Sequence, residues 1–201
     1  MKTRLSVVLV AALLMLPVFA QAQQAFDANG NANIPGTVGD DLTMYSVVYG
    51  INPPLPLDFD NFEYTMVITD LELTGSAGIS TFFADGLIAI YEDNATVADF
   101  ANPATFVDGT PILTGVIHNL TRNQIGNGGS ASSQTVDWTG GTRLDEIAPE
   151  DQVDWVFLTG INVSLAAPGY SEHWDCKAEP EEPIVGNEQI NWGDLKAKAN
   201  Y

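Results

Sequence analysis

Apolar and polar positions alternate most regularly from Asn61 to Thr74, NFEYTMVITDLELT. Phe62, Tyr64, Met66 and Ile68 fall on one side of an extended chain, and Glu63, Thr65, Val67 and Thr69 on the other. That period of two predicts a half-buried antiparallel strand. Leu42 to Ile51, LTMYSVVYGI, reads as a strand too, stopped by Asn52-Pro53-Pro54-Leu55-Pro56 because proline cannot donate to a sheet. From Ile79 to Asn119, runs of Phe, Ile and Val are interrupted by Asp85-Gly86 and Asp108-Gly109. Asp-Gly between β-prone runs predicts tight hairpin turns, so a β-meander is expected there.

Arg122 to Ser133 is rich in Gly, Asn and Ser and reads as a loop, and Val153 to Ala167 reads as the last strand, with Gly160 as a bulge. Gln134–Trp138 and Asp151–Trp155 echo one another, each with Val and Trp on one face and Asp on the other. Two copies are too few for a repeat architecture. No helix of ten residues is indicated within this region. About eight or nine strands at short turn spacings predict an all-β fold, a single antiparallel β-sandwich of jelly-roll-like or Ig-like type.

The chain ends differ from this pattern. Met1-Lys2-Thr3-Arg4, the apolar run Leu5–Phe19 and Ala20-Gln21-Ala22 read as a signal peptide over residues 1–22, too short for a spanning helix. A secreted or cell-surface product, periplasmic or extracellular, with no later membrane span, is expected. Residues 23–39 read as a flexible lead-in, 40–176 as the β-sandwich domain, and 177–201 as an acidic Pro-rich spacer with a short C-terminal segment. Within that segment, Trp192 and Leu195 could dock on the domain or a partner. Asp27, Asn29 and Asn31 have the first spacings of a calcium loop, but Ala32 stands where glycine is needed and Val38 where Glu is needed. An EF-hand is excluded.

The formal net charge is −19, and loss of Lys2 and Arg4 with the leader would make it more negative. Such a balance excludes phosphate-backbone binding, so no nucleic acid partner is expected, and it disfavours anionic membrane surfaces. Cys176 is the single cysteine, so no internal disulfide forms; it is expected as an unpaired thiol or in a bridge between chains.

Chemistry is sparse. His118 and His173 stand outside any triad or metalloprotease pattern, although Glu172-His173-Trp174-Asp175-Cys176 offers mixed metal ligands. Asp58, Asp60, Glu92, Asp93 and Asp99 lie at strand ends and could supply the oxygens of a calcium site, with no other cofactor indicated. Trp138 and Trp155 could stack on sugar. The expected function is a non-enzymatic structural, adhesive or surface-associated module, with self-association or a surface glycan as partner. A carbohydrate-binding module with structural calcium is the alternative, and a carboxylate-based hydrolase comes last.

Overall fold

In the computed structural model, which describes residues 24–50 and 52–181, the alternating segments become strands β1 (Phe26–Asn33), β2 (Asp41–Tyr49), β3 (Glu63–Ala77), β4 (Ser80–Asp93), β5 (Thr110–Ile125), β6 (Gly128–Gly140), β7 (Trp155–Asn162) and β8 (Glu172–Glu179). Short 3-10 turns occur at Pro103–Phe106, Leu144–Glu146, Pro149–Asp151 and Val163–Leu165. Every strand pairs antiparallel with its sequence neighbours, and β8 returns to pair with β1, closing an eight-stranded barrel. This corrects the β-sandwich expectation. A sandwich strand and a barrel strand carry the same alternation, and what separates the two folds is whether the first and last strands meet. Here they do, in register from Phe26↔Ala178 to Ala32↔Glu172. Closure leaves no unpaired edge in the sheet.

The barrel draws in residues on both sides of the expected 40–176 domain. β1 occupies the stretch expected as a flexible lead-in, and β8 continues to Glu179 in the expected spacer. The apparent calcium spacing of Asp27, Asn29 and Asn31 is the polar half of the β1 alternation. Its other half, Phe26, Ala28, Gly30 and Ala32, lines the core. Gly30 is crowded by the Tyr45 carbonyl and Ser46 of β2, and the large Trp174 is its register partner on β8. Phe26 stacks on Trp155 (5.9 Å, 15°), and Trp138 meets Trp155 edge-on at 5.5 Å. Met44, Met66, Ile68, Ile88, Leu113, Ile117 and Phe157 belong to the same buried core. Burying each such side chain contributes about 1.5–3 kcal/mol, the term that stabilises a barrel lacking any disulfide.

The Asp-Gly signals acted differently from expectation. Asp85 adopts φ 58° inside β4, not in a hairpin, and Asp70 adopts φ 54° on the neighbouring strand. Register passes from Thr69↔Leu87 to Glu72↔Ala84 across this paired kink. Gly86 sits where a Cβ would come within 2.6 Å of the Leu71 Cβ, so only glycine fits. The hairpin turns are instead Gly78-Ile79 and Gly126-Asn127, the second within the stretch expected as a loop. Register is continuous at Gly160, which is no bulge.

Outside the barrel, the β4–β5 connection packs on β2 and β3. Thr65 Oγ1 donates to the Phe106 carbonyl at 2.7 Å, and Tyr45, Phe100, Phe106 and Tyr170 form an aromatic cluster. Among the described residues no helix is long and apolar enough to cross a membrane. The expected signal peptide, Trp192 and Leu195 lie outside the described residues.

Candidate functional site

Since apolar side chains fill the interior, the outward members of each strand carry the chemistry open to a ligand. Across β6, β7, β8, β1 and β2 these outward positions align in cross-strand rungs. Ser130, Gly160 and Asp175 follow one another in register, as do Ser132, Leu158, Lys177, Asp27 and Tyr49. The missing side chain at Gly160 and the short ones at Ser130 and Ser132 leave a depression of about 690 Å³ on the outer wall. Tyr49, Leu158, Asp27, Asp175 and Lys177 rim it.

The trough combines an aromatic face with donors and acceptors. Tyr49 is 46 % exposed, and its hydroxyl donates to Asp175 Oδ1 at 2.9 Å. Partial burial, the Asp175 hydrogen bond and the surrounding negative charge push the Tyr49 phenol up to about 12. Partial burial also raises the Asp27 carboxyl, Lys177 opposes this, and Asp175 and Glu179 add to it. Lys177 Nζ lies 2.6 Å from Glu179 Oε2. The site therefore pairs one aromatic platform with carboxylates, hydroxyls and an ammonium, groups that can donate and accept hydrogen bonds.

The tryptophans expected to stack on sugar are elsewhere. Trp138 is 2 % exposed and Trp155 fully buried, each packed against Phe26, so neither offers a face to a ligand. Their alternation was that of core residues, and nothing local distinguishes an inward from an outward aromatic on a strand. Tyr49, on the outward side of β2, is the aromatic that reaches the surface trough. The signal for it was present in the phase of LTMYSVVY, once the inner set Leu42, Met44, Ser46 and Val48 is known.

The five carboxylates expected to share calcium separate into local roles. Asp58 and Glu92 meet at Tyr64, whose hydroxyl accepts from the Asp58 N–H at 3.1 Å and donates to Glu92 Oε2 at 2.7 Å. Asp93 accepts the N–H groups of Ala95 and Thr96, which hold its carboxyl below the usual range. Asp99 accepts the Ala101 N–H at 2.9 Å, and Asp60 is exposed in the turn before β3. The bonds of Asp93 and Asp99 are the local ones by which Asp favours turns. Among the described residues no group of three or more His, Cys, Asp or Glu is placed to hold a metal ion.

The mixed cluster around His173 is divided by the strand itself. Glu172, Trp174 and Cys176 point inward, and His173 and Asp175 outward. Cys176 is buried, donates to the Ala28 carbonyl at 3.4 Å, and burial raises its thiol pKa strongly. Such a thiol is sheltered from exchange with another chain, contrary to the bridge between chains considered above. His118 Nε2 lies 2.9 Å from Asp137 Oδ2 on the outer wall, while Asp137 Oδ1 accepts the Asp154 N–H. This contact ties β5 and β6 to the entry of β7.

A second depression, about 350 Å³, crosses the outer face of β3, β4 and β5 and is lined by Val67, Leu87, Tyr91, Val107 and Val116 among others. Comparison with protein families, with curated proteins and with solved structures finds no match.

Proposed function

We propose that the chain is a non-enzymatic, surface-associated β-barrel module that binds a polyhydroxylated ligand of the saccharide class in the outer trough. The observation that supports it is the composition of that trough: a half-exposed Tyr49 beside Asp27, Asp175, Lys177, Ser130 and Ser132 over a glycine floor. Sugars present apolar ring faces and many hydroxyls that both donate and accept. An aromatic platform with neighbouring carboxylates and hydroxyls meets both demands. A packed barrel holds this wall rigid, so ordering it costs little on binding. With the sheet closed, strand addition at an edge gives no support to the self-association reading.

The test is ligand-observed NMR with neutral mono- and oligosaccharides on the chain, repeated with Tyr49→Ala and Asp175→Asn. Saturation transfer to a sugar that weakens about tenfold or more in both variants is expected. Transfer that survives both substitutions, or none from any sugar class, would remove the reading.

A further inference from the structure

Charge is unevenly matched in the outer trough. Asp27, Asp175 and Lys177 are the charged residues of its lining. The Lys177 ammonium lies 2.6 Å from Oε2 of Glu179, a neighbouring carboxylate that is only 6 % exposed. Lys177 is therefore already engaged by an anion, while Asp27 and Asp175 bring two further negative charges to the same depression.

Register sets these two carboxylates near each other. Asp27 pairs with Lys177 across the β1–β8 ladder, and Asp175 stands two residues before Lys177 on the same outer face. Diagonal neighbours of this kind are roughly 7–8 Å apart, a spacing that one ammonium between two carboxylates can bridge. Tyr49 pairs with Asp27 from the other side of β1 and donates its hydroxyl to Asp175 Oδ1 at 2.9 Å, so its half-exposed ring crosses β1 beside both acids. An aromatic face attracts a cation as well as an apolar sugar face. Burial raises the Asp27 carboxyl, Lys177 opposes the rise, and Asp175 and Glu179 add to it, in keeping with negative charge in excess.

We propose that the trough selects an amino sugar with a free amine, whose ammonium is held by Asp27 and Asp175 beside the ring of Tyr49. This rests on the saccharide reading above and narrows it to one ligand class. The charge census separates three kinds of sugar. An acidic sugar would have to take Lys177 from Glu179 and would meet Asp27 and Asp175 as like charges. A neutral sugar would cover two carboxylates without supplying a counter-charge, which costs desolvation. A sugar carrying an ammonium brings that counter-charge and three N–H donors, and its hydroxyls are left to Ser130 and Ser132.

The test is calorimetric titration with the trisaccharides of glucosamine, N-acetylglucosamine and glucose in one linkage, which differ only in the group at one ring position. A buffer at about pH 6.5 lies below the pKa of an amine and above that of an ordinary carboxylate. The glucosamine trimer is expected to bind about tenfold or more tighter than the other two. That advantage should vanish in Asp27→Asn/Asp175→Asn, which keeps an acceptor for the Tyr49 hydroxyl. It should persist in Asp60→Asn/Asp108→Asn, which removes the same charge from exposed positions outside the trough. Equal affinity for all three trimers, lost in Tyr49→Ala, would overturn the amine preference and leave the saccharide reading standing. Binding of none of them would overturn both. Equal loss of the advantage in the control pair, or spermidine binding as tightly as the glucosamine trimer, would show general attraction of cations to an acidic chain and overturn the proposal. Circular dichroism checks that the variants fold.

Discussion

Arg122 and Glu172, fifty positions apart, meet inside the barrel wall as a buried ion pair. Arg122 Nε donates to Glu172 Oε2 at 3.0 Å, its Nη2 bonds Glu172 Oε1 and Gln124, and Trp174 Nε1 donates to the same carboxylate at 2.9 Å. The pair reaches from β5 across the interior to β8, so it ties the two halves of the cylinder together.

Removing one partner strands the other. Arg122→Met leaves Glu172 charged in a site that is 2 % exposed, at a cost of about 3–5 kcal/mol. Replacing both, as Arg122→Met with Glu172→Leu, removes the stranded charge and is expected to recover much of that loss. Urea unfolding of the three variants against the parent checks this; a double variant as unstable as the single one would show the pair to be needed for more than mutual neutralisation.

Close approach between β1 and β2 leaves no room for a side chain at Gly30, the one glycine of the first strand. A Cβ there would lie 2.2 Å from the Tyr45 carbonyl oxygen and 2.4 Å from the Ser46 Cβ. Backbone cannot yield as a flexible side chain can, so Gly30→Ala is expected to destabilise by about 1–3 kcal/mol or more. Chemical denaturation measures it, with Gly36→Ala as the comparison, because nothing lies within 4 Å of a Cβ there.

Alkaline pH should loosen the barrel in a defined window. Burial, with the Glu92 hydrogen bond, pushes Tyr64 up to about 12 from 10.0, and Tyr49 is likewise pushed up to about 12 by burial and Asp175. Between about pH 10 and 12 the unfolded chain has released these protons and the folded chain has kept them. The unfolded state then binds fewer protons, so stability falls as pH rises. The contribution is fully present below pH 10 and gone above 12. Thermal melts across that range, with Tyr64→Phe and Tyr49→Phe, should show a shallower decline in each variant.

The middle of the chain was legible because burial on one face imposes a period of two. β2 and β3 fall where LTMYSVVYGI and NFEYTMVITDLELT predicted them. β1 was hidden because its inward residues, apart from Phe26, are Ala and Gly, a composition that reads as linker. β8 was hidden because its inward set mixes Glu172, Trp174, Cys176 and Ala178. Gly30 is required by the β2 backbone that crowds it, and Glu172 by Arg122 across the interior, and such partners are invisible to a local pattern. The trough suffers the same limit. Tyr49, Asp27, Ser130, Gly160 and Asp175 come from five strands, and only register brings them together.

By itself, then, the sequence determined an all-β chain with an acidic balance, no internal disulfide and a polar–apolar alternation through its centre, because each of these is a property of composition or of nearest neighbours. Tertiary structure alone decided that the sheet closes, that Trp138 and Trp155 face inward, and that the five expected calcium ligands are not gathered into one group. Those outcomes depend on pairing between residues far apart in the chain, above all β1 with β8. A period of two specifies which side chains share a face; it carries no information about which strand will lie alongside.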